Sequence, residues 1–135
     1  MPDDTIVTIH GIPVMYAAGE RGMPIPDQAA AAFQKLEAKL ASLKRRRFYG
    51  AVLDGQYRAC VAIAPDDDVG SLPHPTWTLP GGRYARRKID DWEEHRDRIG
   101  PTMESLRQRP DFDPSRPCVE YYRSRRELLL LAPVR

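Results

Sequence analysis

Residues 114–134 read PSRPCVEYYRSRRELLLLAPV. A short β-branched and aromatic run, CVEYY, is parted from an unbroken apolar run, LLLLAPV, by a polar turn. That pattern predicts two strands joined by a turn. On a strand, Cys118, Glu120 and Tyr122 share one face, while Val119 and Tyr121 take the other. The second strand does not alternate, because Leu128–Leu131 are apolar on both faces. An antiparallel sheet with one wet face alternates apolar and polar residues. One leucine face therefore lies under helices. The other either packs as ordinary core or lines a cleft, and an apolar cleft is a default small-molecule site.

The same grammar appears upstream. Residues 5–17, TIVTIHGIPVMYA, read as strand. Pro24 and Pro26 precede a helical segment, DQAAAAFQKLEAKLASLKRRR, in which Phe33, Leu36, Leu40 and Leu43 form a 3-4-3 apolar stripe. Pro26 suits a first-turn position, Asp27 favours that turn electrostatically, and the basic run Lys44–Arg47 suits the last turn. FYGAVLDGQYRACVAIAP then gives two strands around Asp54-Gly55, a hairpin signal.

The second half repeats the order. TWTLPGGRYARRKI, residues 76–89, reads as strand with a bend at Pro80-Gly81-Gly82. Asp91 and Glu94 have capping-box spacing. Trp92, His95, Ile99, Met103 and Leu106 form a helical stripe that Pro101 kinks or restarts. The expected fold is therefore α+β and a single domain over residues 1–135. A strand–helix–strand–strand unit is used twice, as half-units at about 1–65 and 76–135 with a linker at about 66–75. The sheets are antiparallel, with the two helices on one face, since neither unit alone is large enough to bury its sheet.

Composition narrows the function. Lys+Arg number 21 against 19 Asp+Glu, a net charge of only +2, so direct nucleic-acid binding is not expected and the clusters KRRR, ARRK and RSRR read as solvated faces. No apolar run approaches the ~20 residues of a membrane helix. The N-terminal stretch MPDDTIV lacks the regions of a signal peptide, which points to the cytoplasm. Cys60 and Cys118 lie in apolar strand-like runs and read as buried free thiols. There is no CxxC or HExxH, and neither metal nor cofactor is expected.

A carboxylate in an apolar, aromatic setting is costly unless paired. A bound cation, a buried arginine, tyrosine hydroxyls or protonation would each offset the cost at Glu120. The alternative is a surface pair with Arg123 or Arg125. If Val119 faces the helices, Glu120 and Tyr122 face the cleft. Tyr16, Tyr49, Tyr57, Trp77, Tyr84 and Trp92 lie in or beside predicted elements and are further candidates to line a ligand site by stacking and cation–π attraction. His95 lies on the helix stripe and reads as a packed residue, while His10 and His74 show no partner in the sequence.

The order of elements resembles the GyrI-like, or AraC-type effector-binding, domain family. The likeness rests mainly on LPGGRYARRKI, the helix after it, VEYY and LLLLAPV, and less specifically on AAFQKLEAKL and FYGAVLDGQYRACVAIAP. The resemblance implies a pseudo-twofold pair of units with a ligand groove between them. It carries the family's closing glutamate onto Glu120 and its tyrosine onto Tyr122. It implies a binder of hydrophobic, aromatic or cationic compounds. With no helix-turn-helix segment in the chain, a stand-alone binder is expected rather than a regulator. Two alternatives accompany it. One is a hydrolase of cyclopropane-bearing DNA-alkylating toxins, with Glu120 in general acid–base catalysis. The other is a protein-interaction module of the gyrase-modulating kind.

Overall fold

The computed structural model describes residues 4–135; Met1–Asp3, part of the stretch read for a signal peptide, lie outside it. The strands are β1 (Thr5–Ile9), β2 (Ile12–Ala18), β3 (Phe48–Leu53), β4 (Gln56–Ala62), β5 (Thr76–Leu79), β6 (Gly82–Asp90), β7 (Cys118–Tyr122) and β8 (Glu127–Pro133). The helices are α1 (Ile25–Ala38) and α2 (Ile99–Arg107). The class is α+β, and the pairings within each unit are antiparallel. Two compact units result. One joins the segment ending at Gly11 to Pro80–Arg135, and the other is Ile12–Leu79.

In the Ile12–Leu79 unit, β3 pairs β4, β4 pairs β2 and β2 pairs β5. Asp54 and Gly55 both take positive φ, 52° and 74°, as the expected two-residue hairpin turn requires. α1 lays Ala32, Phe33 and Leu36 on Met15, Tyr57, Ala59 and Val61. The helix is shorter than its stripe predicts. It ends at Ala38, Leu43 is 45% exposed, and the basic run follows the helix rather than closing it. Gln28 fastens it. Its Nε2 donates to the carbonyls of Met23 (2.8 Å) and Gly55 (3.0 Å), and its Oε1 accepts from the Tyr57 amide (2.9 Å). A buried amide with these bonds ties the helix to the hairpin beside it. Asp66–Pro75 contains neither helix nor strand.

In the other unit, β6 lies between β1 and β8, and β8 pairs β7. The stretch read as one strand at 5–17 is two, broken at His10-Gly11. Gly81 explains part of this break. A Cβ there would lie 2.7 Å from the Gly11 nitrogen and 2.8 Å from the Ile9 carbonyl oxygen, so Pro80-Gly81-Gly82 passes directly against the β1–β2 turn. The second helix also differs from expectation. Asp91 has φ 52° and makes no side-chain cap, so the capping box does not form. Two 3₁₀ turns at 92–94 and 96–98 precede α2, which starts at Ile99 with Pro101 in its first turn, where its missing N–H costs nothing. α2 buries Leu106 on Leu128, Leu130, Ala132 and Ile89, with Met103 and Ile99 at the margin. Leu129 and Leu131, on the opposite face of β8, are also buried.

Candidate functional site

Glu120 lies in the middle of β7, opposite Leu130 of β8, with Tyr122 opposite Leu128. Leu128 and Leu130 belong to the core under α2, and Cys118 and Tyr122 pack into it. The face of β7 that carries Glu120 is therefore the helix-bearing face. The conditional expectation had Val119 toward the helix, and the structure reverses it. Val119 opposes Leu131 on the other face and is fully buried. The four-leucine run let the sequence be read either way, since both faces are apolar.

Glu120 is only 8% exposed. The Tyr122 hydroxyl donates to its Oε1 over 2.7 Å. Tyr122 stands edge to face with Trp92, with centroids 5.1 Å apart and planes at 67°. Trp92 is held in turn by an Nε1–H bond to the Ser124 carbonyl, 2.9 Å, and the Arg96 guanidinium lies 5.4 Å over its ring. Glu120 is thus buried, while the two arginines of the surface-pair alternative are placed as follows. Arg123 pairs with Glu127 at 3.6 Å, and Arg125 is exposed. Within this unit Glu120 is a nearly buried carboxylate bonded to Tyr122, whose ring meets Trp92. Such a group can accept hydrogen bonds, balance a cation and present π-faces.

The other candidate aromatics have these contacts within their own units. Tyr84 is fully buried; its hydroxyl donates to the Pro80 carbonyl (2.6 Å) and Arg116 lies 5.0 Å over its ring, so its phenol serves the Pro-Gly-Gly bend. Burial outweighs Arg116 and pushes its pKa up. Tyr57 is fully buried against α1, edge to face with Phe33 at 6.0 Å. Tyr16 and Trp77 meet at 6.2 Å on the face of their sheet opposite α1, and Tyr49 shares that face through the register Tyr49–Cys60–Tyr16. Against both Tyr16 and Trp77 lies Arg58, a residue the sequence did not single out. Its guanidinium is 4.4 Å from one ring centroid and 4.7 Å from the other.

His74 does have a partner, donating from Nε2 to the Leu36 carbonyl at 2.9 Å. Cys60 and Cys118 are buried free thiols. Burial pushes them up to about 12 and about 11. Among the described residues no group of three or more His, Cys, Asp or Glu could hold a metal ion, and no helix is long and apolar enough to cross a membrane.

The fold is shared with solved structures. An integron cassette protein from the mobile metagenome of Vibrio cholerae superposes with a TM-score of 0.72 at 15% identity, over 98% of this chain and 95% of that one. The protein SAV2435, in a structure bound to tetraphenylphosphonium, superposes at 0.68 with 14% identity, over 99% and 94%. A Staphylococcus aureus MU50 protein assigned to transcription regulation superposes at 0.63 with 12% identity, over 98% of each. At these identities the likeness is one of fold. No family model matches the sequence, and no curated protein matches it.

Proposed function

We propose that this chain is a stand-alone binder of a hydrophobic, aromatic or cationic small molecule, with Glu120 as the polar anchor. The family resemblance places the ligand in a groove between pseudo-twofold halves, and that placement is part of the proposal. One observation carries the reading. A nearly buried carboxylate is kept on the hydroxyl of Tyr122, whose ring meets Trp92, where an apolar side chain would cost nothing to bury. The fold likeness to SAV2435, whose bound ligand is a lipophilic cation, supports it.

The test is calorimetric titration with tetraphenylphosphonium and with neutral triphenylphosphine oxide. Glu120→Gln should weaken the cation at least about tenfold, or about 1.4 kcal/mol, and the neutral compound by less than about threefold. Equal weakening of the two, or none, removes Glu120 as the anchor.

A further inference from the structure

Arg58 marks a second site of opposite charge preference. Strand register builds it. β2 sets Ala18 opposite Arg58, which makes Tyr16 the diagonal neighbour of the arginine, and β5 sets Trp77 opposite Val14, one diagonal step further. Arg58, Tyr16 and Trp77 therefore line up across three strands on the face away from α1. On its other side Arg58 faces Ala51 of β3, and Gln56 faces Leu53. Ala51 fills little of the space its position commands, and a cavity of about 150 Å³ opens there. Arg58, Trp77, Ala51, Leu53, Gln56 and Arg21 line it.

The guanidinium packs over two rings and, among the described residues, leaves its N–H groups without a protein acceptor. Tyr16 and Trp77 take the two π contacts. Among the described residues no carboxylate lies within ion-pair reach of Arg58, and no protein acceptor takes its side-chain N–H groups. Other half-buried arginines of this chain are used differently. Arg46 binds Asp67 through two nitrogens, Arg109 binds Asp4 and Asp111, and Arg116 donates to three backbone carbonyls. Arg58 thus rests against two rings, with a planar fork of donors left over, and that fork matches a carboxylate. Asp54 also borders the cavity, so two guanidinium groups stand against one carboxylate, a balance that favours a monoanion over a phosphate dianion. A cavity of about 150 Å³ is the size that takes one benzene ring. Trp77, Leu53 and Ala51 offer that ring apolar contact.

We propose that this cavity binds a small aromatic monocarboxylate, its carboxylate on the Arg58 fork and its ring against Trp77. The site is independent of Glu120.

Benzoate is the probe, titrated while the Trp77 indole N–H and the Arg58 Nε–H are followed by NMR. Both signals should move saturably with benzoate, and benzyl alcohol should move neither. Arg58→Gln should weaken benzoate at least about tenfold. Glu120→Gln should leave it unchanged, which separates this site from the one proposed above. If Arg58→Gln does not fold, Ala51→Val tests the same point, because it fills the cavity and keeps the guanidinium; benzoate binding should again fall at least about tenfold. Non-saturating shifts, equal binding of benzyl alcohol, or undiminished affinity in the folded variant would overturn the proposal.

Discussion

The Tyr122 hydroxyl donates to Glu120 Oε1 across 2.7 Å, from two residues along the same face of β7. Residues two apart on a strand project side by side, so the bond follows from the extended backbone itself. It gives a desolvated carboxylate a donor without bringing in a second charge. It also fixes the Tyr122 ring, which sets its contact with Trp92.

Tyr122→Phe removes that donor and keeps the ring. The expected cost is about 1–2 kcal/mol, read as a lower urea midpoint at unchanged slope. A double-mutant cycle with Glu120→Gln should show coupling of about 1 kcal/mol between the two positions. Additive effects would mean that the short contact carries no energy.

Asp4 precedes β1 and is gripped from two elements, by Arg87 of β6 at 2.7 Å and by Arg109, just beyond α2, also at 2.7 Å. Burial alone would raise the Asp4 carboxyl, but hydrogen bonds from Arg109 and Arg87 outweigh it and hold the group below its ordinary value of 3.8. A carboxyl depressed in the folded state adds stability above its unfolded pKa and loses it as pH falls through the folded one. Asp4→Asn should therefore lower Tm by about 3–5 °C at pH 7, in line with a loss near 1 kcal/mol. The gap should close progressively below pH 4. Thermal melts of both proteins from pH 2 to 7 test this, and a pH-independent difference would sink it.

The division between what could and could not be read in the chain is physical. Periodicity gave the strand and helix types and the Asp54-Gly55 turn, because each is a local consequence of side-chain spacing. It could not give partners. β1 pairs with β6, about 75 residues away, and nothing in TIVTI encodes that choice. The Asp91–Glu94 spacing matched a capping box, yet Asp91 turns left-handed and the chain makes 3₁₀ turns instead. Gln28 carries no signal within its alanine-rich run, and its three bonds appear only once α1 meets the hairpin. Tyr16 and Trp77 were legible as aromatic candidates. Arg58 was not, because its place against both rings depends on the register of three strands. Glu120 stood out as a carboxylate among apolar residues, while its facing toward α2 depended on which of two apolar leucine faces the helix covers.

The two thiols give a prediction at the alkaline end. Burial holds Cys60 up to about 12 and Cys118 up to about 11, with Arg58 only partly opposing the shift at Cys60. Only a thiolate attacks a disulfide reagent, and an unfolded thiol ionises near 8.5. At pH 8 the native protein should release under about a tenth of the Ellman's reagent equivalents that it releases in urea within the same minutes, because reaction must wait for opening. The linkage has a definite sign. A group raised in the folded state adds stability that is complete below the unfolded pKa and is lost as pH rises toward the folded one. Between pH 8.5 and 10, unfolding free energy should fall by up to about 1.4 kcal/mol per pH unit for each thiol. That slope should vanish in the Cys60→Ala, Cys118→Ala double variant. Rapid native labelling, or an equal slope in the double variant, would show that the thiols titrate freely.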